Sequence, residues 1–224
     1  MRDAFHHELT EITDELVEMT RMTSSAISRA TTALLDADLA LAERVIEDDR
    51  KLDLMREGLD DTSVDLLARQ QPVASDLRVV VTSMRMSSDL ERMGDLARHV
   101  AKVARLRYPA SAVPAPLRAT ILEMGQVAER VVTKAGSVIA GRDIVAATQL
   151  DRDDDEMDRL HRELYAMLRE GSYTTEEAVD LTLLGRYYER FADHAVSVAE
   201  RVIYLVTGSY EPPPADEHAL ALER

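Results

Sequence analysis

Leu90-Glu91-Arg92-Met93-Gly94-Asp95-Leu96-Ala97 comes round a second time in the same chain, as Tyr188-Glu189-Arg190-Phe191-Ala192-Asp193-His194-Ala195. Both runs place an acid, an arginine, an apolar residue, a small residue and an aspartate in the same order. An upstream motif repeats as well: Asp48-Asp49-Arg50-Lys51-Leu52-Asp53 matches Asp153-Asp154-Asp155-Glu156-Met157-Asp158. The interval between the two motifs is seven residues shorter in the second copy. About two helical turns are therefore missing there, at the junction that carries Pro72 in the first copy. Recurrence of two motifs in order is the mark of a duplicated structural unit.

Composition says what the unit is made of. Of 224 residues 46% are hydrophobic but only 4% aromatic, with 8 Gly and 7 Pro, which suits helices rather than a sandwich or barrel. Helix breakers are few: Pro72, the stretch from Pro109 to Pro116, Gly141, Gly171 and Gly208. Between them apolar residues recur at three- and four-residue spacing and predict six amphipathic helices, near 4–36, 38–70, 75–107, 116–140, 143–169 and 175–206. The expected fold is all-α, a tandem repeat of two antiparallel three-helix bundles over 1–108 and 115–208. The remainder, 209–224, contains Pro212-Pro213-Pro214 and mostly polar residues, and is expected to be a disordered tail.

Several function classes drop out. With no cysteine, disulfide scaffolds, thiolate-bound zinc and thiol catalysis are excluded. A formal charge of −15 argues against a nucleic-acid or acidic-membrane binder. No apolar run approaches membrane-spanning length, and Met1-Arg2-Asp3-Ala4-Phe5-His6-His7-Glu8 shows no signal-peptide character, so a cytoplasmic protein is expected. Neither a Gly-rich phosphate loop, a Gly-x-Ser-x-Gly elbow nor His-Glu-x-x-His occurs, and no spacing nominates a nucleophile and base; no enzymatic activity is expected.

The repeats do carry acids one turn apart: Asp49/Asp53, Glu91/Asp95, Asp154/Asp158 and Glu189/Asp193. Two carboxylates at that spacing share a helix face and repel, so a cation can compensate. With 42 acids in the chain, about eight such pairs arise by chance, so spacing alone carries no weight. Direction is more informative. Leu90, Met93, Ala97, Val100 and Ala104 make an apolar stripe, and Leu184, Tyr187, Phe191, Val198 and Val202 make its counterpart. Glu91 and Asp95 lie roughly 160° from the centre of theirs, and Glu189 and Asp193 also face away. The upstream pairs are offset by about 100° in both copies, so all eight acids are expected outward or sideways of the core. That placement argues against a buried di-iron site, which needs inward Glu-x-x-His motifs; His6 and His161 are preceded at that spacing only by Asp3 and Asp158. Two readings stay open: a solvated acidic face, or a surface cation cluster with His99, one turn beyond Asp95, as an added ligand. Arg92 and Arg190 are expected to pair with neighbouring carboxylates or else to dock an acidic partner, while Met55, Met84, Met86, Met93, Met157, Tyr187, Tyr188 and Phe191 are expected to fill core. His6, His7 and His218, near the ends, are expected to be exposed.

On these motifs the chain resembles the PhoU family of phosphate-transport accessory proteins. Arg69-Gln70-Gln71-Pro72-Val73-Ala74-Ser75-Asp76-Leu77-Arg78 is similar to that family's Arg-Gln-Pro-x-Ala-x-Asp-Leu-Arg segment, with one extra Gln. Asp89 to Asp95 resembles its Leu-Glu-Arg-Ile-Gly-Asp helix, and Glu189 to Ala195 the second copy, with Ala192 where Gly is usual. The resemblance implies a negative regulator of the phosphate-starvation response and of phosphate uptake. It implies an adaptor between the ATPase of a phosphate ABC transporter and a sensor histidine kinase, peripheral to the membrane through these partners, and a homodimer. It further implies surface iron or zinc on Asp49, Asp53, Glu91, Asp95, Asp154, Asp158, Glu189 and Asp193, and hence an alternative role in metal buffering or metal-dependent catalysis.

Overall fold

The structure, a computed structural model, describes residues 2–209, without the side chains of residues 2–5 and 151. It consists of six helices: α1 (Arg2–Asp36), α2 (Leu39–Gln70), α3 (Ala74–Arg107), α4 (Arg118–Gly141), α5 (Ile144–Glu170) and α6 (Thr175–Thr207). One 3-10 turn, Ala115–Leu117, precedes α4. Every boundary lies within two residues of the sequence expectation. The tail beyond Ser209, with His218, lies outside the described residues.

Local chemistry sets the ends. Asp38 and Asp143, at equivalent repeat positions, cap α2 and α5 by accepting from the amides of Leu41 (2.9 Å) and Ala146 (3.0 Å). Thr174 and Glu177 form a capping box at the start of α6. Gly208 ends α6 at φ +79°, a left-handed conformation that costs a glycine little. The missing two turns fall where Pro72 marks the first half. There α5 stops sooner after Asp154 than α2 does after Asp49, and α6 begins closer to Glu189 than α3 does to Glu91.

Each half packs as three helices, and the halves join along α1 against α4 and α3 against α6. The α1–α4 seam is antiparallel and shows an internal twofold. A Cβ on Gly136 would stand 2.4 Å from Thr20 Oγ1, and one on Gly125 2.5 Å from Thr31 Cγ2. Thr20 and Gly125 occupy one repeat position, Thr31 and Gly136 another, so exchanging the halves exchanges the two contacts. The hydroxyls of Ser24 and Thr133, 3.1 Å apart, sit between them. Buried Tyr188 adds a 2.8 Å hydroxyl contact to Thr31 across the seam. Along α3–α6 the ties are charged: Arg201 and His194 approach buried Asp89 at 2.6 and 3.1 Å, and Arg107 pairs with buried Asp180.

One apolar core runs through both halves. Leu90, Met93, Ala97, Val100 and Ala104 are buried as the stripe requires, and so are Leu184, Phe191, Val198 and Val202. Tyr187 is the exception. It is half-buried at the edge, stacked on His99 of α3, while Tyr188 takes the core position. Met86, Met93 and Met157 are buried, and Met55 and Met84 pack partly buried against the core. His6 and His7 are exposed. No helix among the described residues is long and apolar enough to cross a membrane.

Candidate acidic sites on the two repeats

The α2–α3 hairpin brings the first set of acids together. Asp49 on α2 lies near enough to Asp53 and, across the hairpin, to Glu91 and Asp95 on α3 to feel their charges, and Glu91 feels those of Asp95 and Asp53. One of them is not where the stripe geometry puts it. Asp49 is buried, its side chain 4% exposed, rather than turned outward. The cause is Gly94. With no side chain there α3 closes onto α2: a Cβ at that position would stand 2.4 Å from Leu52 Cδ2 and 3.2 Å from Asp49 Oδ1. A residue about 100° from the stripe centre is thereby covered. Burial pushes the Asp49 carboxyl up to about 6; Arg98 opposes the rise, and Asp53, Asp95 and Glu91 add to it.

Arg98 is the counter-charge. Its Nη1 lies 2.7 Å from Asp49 Oδ2, and its Nη2 is bonded to Asp95 Oδ1. The Asp49 contact is an ion pair rather than an aligned hydrogen bond, since Asp49 Oδ2 and Arg98 Nε lack hydrogen-bond partners. Arg92 covers the outer side, 3.1 Å from Asp95 and 3.7 Å from Glu91, pairing as the sequence suggests. Burial and then Asp95 raise the Glu91 pKa, against the pull of Arg92.

The second set is arranged differently. Asp154 and Glu189 are half-buried, whereas Asp158 and Asp193 are exposed. Burial and the charge of Asp193 raise the Glu189 pKa; Arg186, 2.5 Å away on the same helix, opposes this. Among the described residues no cation forms an ion pair with Asp158 or Asp193, and Arg190, unlike Arg92, makes none either. His161 takes the repeat position of Arg56. Burial and then Arg186 depress its pKa, its ring lies 4.6 Å from that of Tyr165, and its buried Nε2 has no hydrogen-bond partner. The repeat position of Arg98 is held by Val196.

These differences decide how each set suits a cation. Among the described residues no three His, Asp or Glu side chains converge as a ligand group. In the first set a guanidinium already bridges the carboxylates of α2 and α3, so the residues present do not fit a metal ion. In the second, Asp158 and Asp193 carry no counter-charge among the described residues and lie near the ring of His161, whose Nε2 has no hydrogen-bond partner, but these groups do not converge on one point as the side chains stand. His99 is stacked on Tyr187 at 5.2 Å between centroids, which turns its ring to α6. Arg98 was no candidate on the sequence, and His161 entered there only through the Asp158 three residues before it, not as a member of the acidic set. Asp95-x-x-Arg98 at one-turn spacing, and His161 three residues beyond Asp158, are the signals that were there.

The chain matches the PhoU domain family over residues 16–104 and 121–202, one match in each half. It is 46% identical over 212 residues to phosphate-specific transport system accessory protein PhoU homolog 2 of Mycobacterium tuberculosis, covering 94% of this chain and 100% of that protein. PhoU homolog 1 of Mycobacterium leprae is 46% identical, with 94% and 96% covered. The crystal structure of PhoU from Pseudomonas aeruginosa superposes with a TM-score of 0.81 at 31% identity, covering 92% of this chain and all of that one. The phosphate transport system regulatory protein PhoU from Streptococcus pneumoniae gives 0.82 at 25% identity, over 92% and 99%. Two copies of the domain, relatives matched from end to end and a shared duplicated bundle lead to one conclusion: the chain belongs to the PhoU family.

Proposed function

We propose that the chain is a negative regulator of phosphate uptake and of the phosphate-starvation response, acting in the cytoplasm as a homodimeric adaptor without turnover of its own. It would join the ATPase of a phosphate ABC transporter to a sensor histidine kinase and favour the kinase-off arrangement when phosphate is plentiful. The observation that supports this best is the end-to-end match to proteins named phosphate-specific transport system accessory proteins. A protein that regulates by binding shifts its partners only through unequal affinity for their states. The duplicated bundle is suited to that: two packed halves with charged ties across their seam, in a chain of net charge −15. An acidic partner of this kind docks on basic surfaces and does so in a salt-dependent way. The test is co-purification with the transporter ATPase and with the kinase. Retention of both at low salt, weakening as salt rises, supports the reading; retention of neither at low salt removes its mechanism.

A metal-binding role is the second reading, and what favours it is the partnerless Nε2 of His161, on a ring that feels the charges of Asp158 and Asp193. Iron or zinc held there would supply a positive charge tying α5 to α6. Elemental analysis of protein purified without chelator tests it: a stoichiometric metal lost on Asp193→Asn supports the reading, and its absence counts against it.

A further inference from the structure

We infer that Arg98 is the resident cation of the first acidic cluster: its guanidinium clamps α2 to α3, and that cluster takes up no divalent metal ion. The inference is independent of the regulatory role proposed above and of any metal in the second half.

Three observations carry it. First, Arg98 reaches carboxylates on two helices, Asp49 of α2 at 2.7 Å and Asp95 of its own α3. A metal ion joining those helices would need the same oxygens, and the guanidinium would first have to leave them. Secondly, Asp49 is buried, so it cannot trade Arg98 for water. An ionised carboxylate left there without a partner is costly, and its cheapest neutraliser is the cation already in place. Gly94 makes the arrangement possible, because a side chain there would strike Leu52 and crowd Asp49.

Thirdly, the second half supplies an internal control. The same fold and the same four acidic positions occur there, but Val196 stands in place of Arg98. Arg186 reaches only Glu189, on its own helix, and Asp158 and Asp193 form no ion pair with a described cation. Duplication has left one acidic set closed by a side chain and the other without that bridge. A guanidinium suits the first role because it stays protonated at any physiological pH and presents donors in a plane that can meet two carboxylates at once. Arg92, on Asp95 and Glu91, adds further positive charge at the outer edge.

Two measurements on the full chain test the two parts. In Glu189→Gln/Asp193→Asn protein, where the second cluster is silenced and Arg98 is intact, equilibration with manganese or zinc chloride should leave no stoichiometric metal after dialysis. Its melting temperature should be the same with metal as with EDTA. One equivalent of metal that disappears on adding Glu91→Gln would overturn the inference. For the clamp, Arg98→Met should lower the melting temperature by about 4–8 °C in the otherwise native chain, but by less than half as much when Asp49→Asn is already present. Arg98→Lys, which keeps the charge, should retain most of the stability. An equal cost of Arg98→Met with and without Asp49 would overturn the clamp. The silenced chain with Arg98 in place decides the metal part even if Arg98→Met does not fold.

Discussion

In the first half a guanidinium from α3 spans Asp49 and Asp95, whereas in the second the matching residue is Val196 and Arg186 stays on Glu189 of its own helix. The helices that carry these groups are nonetheless the same in number, order and pairing, and their seam obeys a twofold. The two halves therefore share a packing geometry and differ in the charges laid over it. At the seam each contact sets a glycine of α4 against a threonine of α1, so the repeat-equivalent residues differ while the fit is kept, and an atom added at either glycine meets a neighbour. The Arg186–Glu189 pair is partly solvated and its loss costs little, whereas Asp49 is buried and depends on Arg98.

The seam offers the largest effect with which to break this comparison. Gly125→Leu and Gly136→Leu should each lower unfolding free energy by about 3 kcal/mol in denaturant titrations, because each side chain must displace a threonine. Near-equal losses would confirm that the two halves meet as equals; a large loss at one position with none at the other would break the twofold.

Next comes the pH dependence of the first half. The folded pKa of Asp49, about 6, lies above its ordinary 3.8. Below about pH 4 the group is protonated in both states and contributes nothing. Between these values the folded chain holds a proton the unfolded chain has lost, so stability falls as pH rises, by about 2–3 kcal/mol in all. Relative to Asp49→Asn, the wild-type chain should lose that amount from pH 4 to pH 7 in equilibrium unfolding. A flat difference would mean that the burial of Asp49 is not felt.

The counter-ions themselves sharpen the contrast. At pH 7, Arg98→Met should cost about 2 kcal/mol, since it strands a buried carboxylate. Arg186→Met, which frees a partly solvated Glu189, should cost at most about 0.5 kcal/mol. Equal costs would erase the distinction between the clusters. Smaller than the Arg98 effect is that of Tyr188→Phe, at about 1 kcal/mol, through the hydroxyl contact with Thr31 that Leu90 does not provide in the first half.

Most of the fold could be read from the chain because it rests on periodicity and breakers, which are local. Pro72, Gly141, Gly171 and Gly208 all mark helix ends, and Leu90, Met93 and Ala97 face the core as their spacing requires. The candidate sites were legible only as far as one helix extends. Asp49 illustrates the limit: its angle on α2 is local, but its burial depends on how closely Gly94 lets α3 approach, which no single helix records. Arg98 was hidden for a related reason. On its own helix it is one more arginine beyond an aspartate, and only the α2–α3 packing gives it a second partner. Tyr187 and Tyr188 show the same thing in the core, where a neighbouring helix decided which ring was buried and which was stacked on His99.

The regulatory role is tested most directly by a phosphate-starvation reporter in cells lacking the gene for this chain, grown in phosphate-rich medium. The reporter should switch on in the deletion strain and fall silent again when the wild-type chain is restored. A reporter that stays silent without the chain would contradict a negative regulatory role outright.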